Sequence, residues 1–529
     1  MKFSSGLVAL CLVLSGWATF LGAASYQVSV DVQSDRGELQ HFWKTFGLGH
    51  ASLLLREEGQ WGEILKRQIQ EAVTELGMNG VRQHGLLHDD MGVYREVHGQ
   101  AVYDFTLLNQ VFDFYLSLGI KPLVELGSMP RDLASDPSAT NFQWKQGKSP
   151  PKDWQKWQDL VANFVQNLRQ RYSAEEVDSW YFEVWNEPEL EAFWSGTQQD
   201  YLKLYDHTVW GARSVSPNIL VGGPTPSGPH QLTGATRLGE NFINHVLQHR
   251  ALGEPMALDF FSIHTWAFLY ANIGGYFQTV DLLDRYNLDI PILITEAGPT
   301  WQFHLDPQPQ ETIQGATFVG HTVSELITRS LATGKRLPEV WSWWVLSDIF
   351  EESTYREEDP FIGCMGLVSR QGIKKPAYNA FKMLHMMGDR LINTQIDHQG
   401  SVHSFATKNA KGEVQILLAN GRNPDGGPPQ GRYYEVGGRD DVTIRLNGLG
   451  QHQYQIYKLD QQHGDAFSQW QRLGRPAMAN MSEADWQSLR QSMKLNPSKE
   501  GVRQDGQSQG LTISMESPSL ALVVIKPLL

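Results

Sequence analysis

Short apolar runs that end in polar residues or glycine alternate with amphipathic stretches from about residue 44 to residue 385. The amphipathic stretches, such as 63–77 and 153–172, place apolar residues at helical spacing. Strands that alternate with helices indicate a parallel sheet. Eight such runs predict a (β/α)₈ barrel with loop insertions. The runs are 45–52, 80–85, 121–127, 180–188, 219–224, 259–266, 291–298 and 340–348.

The pattern changes after residue 390, where Gly, Asn, Asp and Gln separate short runs of alternating polarity. Such runs are typical of antiparallel strands, so we expect an accessory β-sandwich at 389–529. One helix, 482–494, interrupts it, with Ser482 as the expected N-cap. The predicted strands are 402–408, 413–420, 441–449, 452–460 and 511–527.

The chain before the barrel divides into two segments. Residues 1–24 combine a basic start, an apolar run and small residues at 22–24, which is typical of a cleaved signal peptide. An N-terminal membrane anchor is the alternative, but the apolar run is short for a membrane span. Residues 25–43 contain a strand pattern that we expect to pair with the C-terminal sandwich. The catalytic barrel is then expected at 44–388.

Charge and cysteine content narrow the function classes. Lys plus Arg number 44 and Asp plus Glu 58, so the formal net charge is −14, which disfavours binding to nucleic acid. Of two cysteines, Cys11 lies in the expected signal peptide, so Cys364 has no partner for a disulfide within the mature chain. From the expected signal peptide, we predict a secreted or periplasmic protein with no membrane span after signal cleavage. We also expect that it uses no cofactor.

Two carboxylates stand where a barrel of this kind places its active site. Glu187 follows the fourth predicted strand in "WNEP", and Glu296 ends the seventh in "ILITEAG". The carboxyl ends of barrel strands meet at one face, so the two side chains are expected to face each other. Most glycoside hydrolases use a pair of carboxyl groups in that arrangement to cleave the glycosidic bond. Each glutamate alone is more typical of a solvated loop or an ion pair.

Other candidate motifs are weaker. His264 ends the sixth strand and either packs in the core or touches a substrate. His245 and His249 stand four residues apart on a predicted helix, a spacing that can bind metal, but no acidic partner lies near them in sequence. We therefore expect a solvated helix face there and no metal site. The glycines of 221–228 lack the lysine of a phosphate-binding loop.

The motifs together resemble glycoside hydrolase family 39, which includes β-xylosidases and α-L-iduronidase. The resemblance is carried by stretches throughout the barrel, and "WNEP" alone would indicate only the larger clan of retaining barrel hydrolases. It implies a retaining enzyme with a (β/α)₈ barrel and a β-sandwich. The matching stretches are 81–94, 103–130, 182–208, 221–227, 342–353 and 366–388.

The resemblance also implies roles for individual residues. Glu187 matches the family's acid/base and Glu296 its nucleophile, while Asn186 matches an amide that binds the sugar 2-hydroxyl. The remaining matches surround the sugar or orient the nucleophile. They are Arg82, His84, His264 and Trp344. Trp266 is a further candidate for binding the substrate, although it departs from the family pattern.

Three positions depart from the β-xylosidase pattern, because Ser128 and Ala297 stand where aromatic residues are usual and Trp266 where tyrosine is usual. The smaller residues predict an enlarged sugar pocket. We expect an exo-acting β-glycosidase on oligosaccharides from plant or algal polysaccharide. The alternatives are an endo-acting hydrolase of an exopolysaccharide and a non-catalytic carbohydrate-binding barrel. The sequence leaves the oligomeric state open.

Overall fold

The computed structural model describes residues 24–528 except 58–59, 267–268, 304, 353–357, 423–433 and 504–509. Apart from Ala24, the expected signal peptide lies outside this part of the chain. Within the described residues, no helix has both the length and the apolar character needed to cross a membrane.

The strands and helices follow each other as the polarity pattern predicts through the first three quarters of the chain. The strands are β1 (Ser25–Asp31), β2 (Thr45–Leu48), β3 (Gly80–Gln83), β4 (Tyr94–Val97), β5 (Gln100–Tyr103), β6 (Lys121–Leu126), β7 (Thr140–Asn141), β8 (Gln146–Gly147), β9 (Tyr181–Val184), β10 (Leu220–Pro224), β11 (Phe260–Trp266), β12 (Ile292–Gly298), β13 (Val340–Trp343), β14 (Arg390–Ile396), β15 (Val402–Lys408), β16 (Val414–Asn420), β17 (Arg439–Asn447), β18 (His452–Leu459), β19 (Pro497–Arg503), β20 (Leu511–Glu516) and β21 (Ser519–Pro527). The α-helices are α1 (Trp61–Leu76), α2 (Thr106–Ser117), α3 (Trp154–Tyr172), α4 (Ala174–Val177), α5 (Gln198–Val215), α6 (His230–Thr233), α7 (Leu238–Ala251), α8 (Leu269–Arg285), α9 (Ile313–Thr333), α10 (Pro376–His385), α11 (Ala466–Arg472) and α12 (Glu483–Ser492).

The eight predicted barrel strands close on themselves. The order around the barrel is β2-β3-β6-β9-β10-β11-β12-β13, and every described neighbouring pair is parallel. Parallel strands are buried on both faces, which explains their near-continuous apolar runs. The predicted (β/α)₈ fold is confirmed, and it brings the carboxyl ends of all eight strands to one mouth.

Capping signals in the sequence mark the start of α3 and the end of α1. The Asp153 carboxylate accepts hydrogen bonds from the backbone N–H groups of Gln155 and Lys156 at 3.0 and 3.1 Å, which starts α3. Glycine at 77 ends α1 with φ of 62°, a left-handed conformation that costs glycine little. These caps define the residues at which α3 begins and α1 ends.

The C-terminal part forms one mixed nine-stranded sheet with the order β19-β18-β21-β16-β15-β14-β1-β17-β20. Strand β1 lies antiparallel to β14 and parallel to β17. The inner face of the sheet encloses an apolar core of its own, to which strands from β1 to β21 contribute.

This part departs from the sequence prediction in its helices. The described residues after β14 contain two helices, α11 and α12, where one was expected. Helix α11 has seven residues, so it is too short to show a helical apolar period. Its start is nevertheless marked by Asp465, whose carboxylate accepts from the backbone N–H of Ser468 at 2.9 Å.

Strand β16 joins the two parts, because both of its faces are buried. Ile416 and Leu418 lie in the core of the sheet, while Leu417 and Ala419 pack into the large core that contains the barrel and its helices. Its uninterrupted apolar sequence therefore reflects burial on two sides. The sheet thus packs on the outside of the barrel, beside α9.

Candidate active site

The backbone after β9 turns Glu187 toward the barrel mouth. Trp185 and Glu187 both adopt left-handed conformations, with φ of 70° and 43°. Such conformations are costly for residues with side chains and are concentrated at functional sites. The Glu187 N–H donates to the Thr225 carbonyl at 3.0 Å, which ties this turn to the end of β10.

Glu296 reaches the same mouth from β12. The pairing of β11 with β12 changes register between Ile263 and His264, and His264 then stands directly opposite Glu296. A bulge at the rim of a barrel changes the direction in which the neighbouring side chains point. His264 Nδ1 lies 2.7 Å from Glu187 Oε1 and 3.5 Å from Glu296 Oε2, so one imidazole bridges both carboxyl groups.

The spacing of the two carboxyl groups limits the chemistry. An oxygen of Glu187 lies within 4.8 Å of an oxygen of Glu296. Retaining glycosidases hold their carboxyl groups about 5–5.5 Å apart, whereas inverting enzymes need about 6.5–9.5 Å to admit a water molecule. The observed geometry is therefore that of direct attack by one carboxylate.

Arg82 on β3 organises the floor of the site. Its side chain is fully buried. Its guanidinium donates to Glu183 at 2.5 Å, to Glu296 at 2.7 Å and to Asn186 Oδ1 at 2.9 Å, and it lies 2.8 Å from Glu125. The bond to Asn186 directs the amide oxygen to the arginine, so the amide NH₂ is left as a donor for a ligand.

His84 connects a second carboxylate to the same network. Its Nδ1 lies 2.7 Å from Glu125 Oε2 and its Nε2 lies 3.4 Å from Glu296 Oε1. Burial acts to lower the pKa of His84, but the neighbouring carboxylates outweigh it and raise that pKa well above the usual value. His84 is therefore protonated at neutral pH and adds positive charge beside Glu296.

The environment separates the proton affinities of the two glutamates. Burial, followed by the negative charge of Glu296, raises the pKa of Glu187 well above its usual value. Burial would also raise the pKa of Glu296. His264, His84 and Arg82 act in the opposite direction and hold that pKa at about 2. Burial also lowers the pKa of His264 to about 3, so that ring is neutral at neutral pH.

Two tryptophans flank this constellation. Trp344 follows β13, and its indole lies 4.4 Å from the His84 ring. It approaches β2 so closely that a Cβ on Gly47 would lie 2.2 Å from the indole, which explains the glycine there. Trp344 is buried, whereas Trp266 at the end of β11 is only half-buried. Trp266 therefore offers more of its surface to a ligand.

The space beside Ser128 is small. A cavity there has a volume of about 10 Å³, which is room for about one water molecule. Ala297 is fully buried. The cavity is lined by Glu125, Gly127, Ser128, Asn141, Gln146, Gly147, Lys148, Trp185, Asn186, Ala192 and Phe193.

The structure adds two members that the sequence prediction left out of the site, Glu125 and Glu183. Both point inward from barrel strands, β6 and β9, and both contact Arg82. In the sequence, each is a carboxylate within an otherwise apolar strand. A buried carboxylate needs a partner, which is the feature that could have identified both residues. The partner itself could not be read from the sequence.

Glu187, His264 and Glu296 have donor atoms close enough to hold a metal ion. The Arg82 guanidinium already neutralises Glu296 at 2.7 Å. A second cation at the same carboxylate would be repelled by it. The protonated Glu187 beside an ionised Glu296 suits proton transfer and nucleophilic attack instead.

Comparison with known proteins gives one consistent family. The model of glycosyl hydrolases family 39 matches residues 26–509. A β-xylosidase from Geobacillus stearothermophilus is 32% identical, over 84% of this chain and 86% of the relative. An α-L-iduronidase from Mus musculus is 25% identical, over 97% and 83%. The crystal structure of a monomeric β-xylosidase from Caulobacter crescentus CB15 superposes with a TM-score of 0.82 at 26% identity, over 96% of this chain and all of that one.

The opposite pKa shifts predict opposite effects on stability. A raised pKa means that folding stabilises protonated Glu187, so the wild type loses stability as pH rises. Glu187→Gln avoids that loss, and its melting temperature should gain on that of the wild type as pH rises above the usual pKa of a glutamate, about 4.3. Glu296→Gln should melt lower than the wild type throughout, because the lowered pKa stabilises the fold at every pH well above 2.

The differences in melting temperature between each variant and the wild type are measured by thermal melts over a series of pH values at constant salt. Both glutamine variants have the same shape and neutral charge, so each serves as the control for the other. Equal destabilisation by the two substitutions, or the reverse order, would contradict the assignment of protonation states.

Proposed function

The chain belongs to glycoside hydrolase family 39 and is a retaining glycoside hydrolase, and we propose that Glu187 is its acid/base and Glu296 its nucleophile. The observation that carries this assignment is the separation of their pKa values across less than 4.8 Å. A protonated and an ionised carboxyl group are thereby available together at neutral pH.

In the first step, Glu296 Oε attacks the anomeric carbon while Glu187 gives its proton to the glycosidic oxygen. The sugar–oxygen bond breaks, the aglycone leaves as an alcohol, and a covalent ester joins the sugar to Glu296. In the second step, Glu187, now ionised, takes a proton from water. The water oxygen attacks the anomeric carbon, which releases Glu296 and retains the anomeric configuration.

The surrounding residues support these steps. Arg82 holds one oxygen of Glu296, which leaves Oε2 as the attacking atom. Asn186, oriented by Arg82, is proposed to donate its amide to the sugar 2-hydroxyl. His264 contacts both glutamates and is neutral, so it can exchange a hydrogen bond without taking the catalytic proton. His84, Trp344 and the half-buried Trp266 are proposed to line the sugar subsite.

The proposed substrate is a β-xyloside at the non-reducing end of oligosaccharides from plant or algal polysaccharide. The similar β-xylosidases and the small free volume beside Ser128 favour a sugar without a large group on C5. The side chains of Glu187 and Glu296 are only 8% and 6% exposed, which favours a pocket and exo action over an open cleft.

A uronic acid is the second candidate sugar. A C5 carboxylate would have one cationic partner available there, because Lys148 lines the cavity beside Ser128 together with Gln146 and Asn141. Endo action on an exopolysaccharide remains the alternative mode, and it predicts internal cleavage. The sequence analysis also left open a non-catalytic carbohydrate-binding barrel. Membership of a family of glycoside hydrolases argues against that alternative.

We propose that the protein is exported to the periplasm or the medium, on the basis of the N-terminal sequence. Removal of residues 1–24 leaves Ser25 at the start of β1. N-terminal sequencing of the protein recovered from its own cells should begin at or near Ser25. A chain that retains Lys2 and its apolar run would contradict cleavage.

Glu187→Ala should discriminate between leaving groups. A poor leaving group needs protonation, so hydrolysis of an alkyl xyloside should fall by about 10²–10⁴-fold. An activated nitrophenyl xyloside should lose far less in the first step, and added azide should restore turnover by replacing the activated water. Steady-state kinetics on both substrates measure this, with Glu296→Ala as the control that should lose both activities. Equal loss on both substrates in Glu187→Ala would contradict the acid/base role.

The sugar specificity can be measured as kcat/KM on matched nitrophenyl glycosides of xylose, arabinose, glucose, galactose and a uronic acid. A tight pocket should favour xylose over glucose by about 10–200-fold, which is what exclusion of one small group supplies. A preference for the uronoside that Lys148→Met abolishes would replace the xyloside proposal.

A further inference from the structure

A second cluster of ligand-type side chains lies outside the barrel mouth, between α5 and α7. His245 and His249 stand one turn apart on α7, and Asp206 on α5 faces both. The three donor atoms lie within 4.8 Å of one another. The sequence predicted a solvated helix face here, because the two-histidine motif contains no acidic residue. The structure corrects this, since the acidic partner comes from a neighbouring helix.

The two histidines contact Asp206 differently. His245 Nε2 lies 2.7 Å from Asp206 Oδ1, which is a hydrogen bond. His249 Nε2 lies 3.7 Å from Asp206 Oδ2, which is too far for one. Asp206 is buried, whereas each histidine side chain is 20% exposed. The cluster therefore has a fixed inner carboxylate and an outer side open to solvent.

Glu254 determines which nitrogen of His249 is available. The Glu254 carboxylate is hydrogen-bonded to His249 Nδ1. A neutral imidazole with its proton on Nδ1 directs the Nε2 lone pair at the Asp206 carboxylate. With the Nδ1 tautomer these two electron-rich atoms face each other at 3.7 Å, and a cation bound between them would stabilise the arrangement. A carboxylate that holds the outer nitrogen of a ligating histidine is also the usual second shell of a protein zinc site.

We propose that Asp206, His245 and His249 form a binding site for a divalent transition metal, with zinc the best match. Two imidazole nitrogens and one carboxylate oxygen are a donor set that Zn²⁺ accepts, with water in the fourth position. Binding requires His245 Nε2 to give up its proton, so the affinity falls as pH is lowered. The ion would hold α5, the helix that follows the turn bearing Glu187, against α7.

The test uses the full-length chain without an affinity tag, freed of metal by chelator and dialysis. Competition for Zn²⁺ against a chromophoric chelator at neutral pH should give one ion per chain. His249→Gln should weaken binding by at least 100-fold. Glu254→Gln should weaken it by about 10–100-fold, as for other second-shell carboxylates. His463→Gln is the matched control, because His463 forms a surface pair with Asp460 at 2.8 Å and belongs to no such cluster.

Two further readouts separate a built site from loose surface binding. Zn²⁺ should raise the melting temperature of the wild type and of His463→Gln but not of His249→Gln. Co²⁺ in place of Zn²⁺ should give the intense visible absorption of tetrahedral coordination. Equal Zn²⁺ affinity in His249→Gln and His463→Gln, or no stoichiometric binding by the folded wild type, would overturn the proposal. None of these measurements depends on hydrolytic activity.

Discussion

The active site depends on one buried cation, the Arg82 guanidinium, which lies among the carboxylates of Glu125, Glu183 and Glu296. Four barrel strands meet at this point, since the arginine comes from β3 and the glutamates from β6, β9 and β12. A buried charge is tolerated only when it is paired, and removing one partner of such a pair costs about 3–5 kcal/mol. The ion network thus makes the geometry of the site a condition of the fold.

The same cation has a chemical consequence at the two catalytic candidates. Arg82 donates to Glu296 directly, and His84 adds positive charge beside it. Glu187 contacts neutral His264 and no permanent cation among the described residues, so burial keeps it protonated. One barrel mouth therefore supports both an acid and a nucleophile. The backbone contributes too, because left-handed Trp185 and Glu187 turn the end of β9 inward.

The sequence predicted the barrel well because most of its strands are apolar runs and its longer helices have an apolar period of their own. It also predicted where Glu187 and Glu296 would meet, since parallel strands share one carboxyl end. Contacts between distant elements were not predictable. Glu183 and Asp206 acquire their partners only when strands or helices 39 to 101 residues apart come together, and α11 is too short to show a period.

The central claim is that Glu187 holds a proton while Glu296 is ionised at the same pH. The pH dependence of kcat/KM for an aryl xyloside whose leaving group still gains from protonation, in the wild type and in Glu187→Gln, tests it most directly, because that ratio reports ionisations of the free enzyme. The wild type should lose activity at high pH as Glu187 ionises and at low pH as Glu296 is protonated. Glu187→Gln should lose only the decline at high pH. Loss of the decline at low pH instead would show that the two roles are reversed.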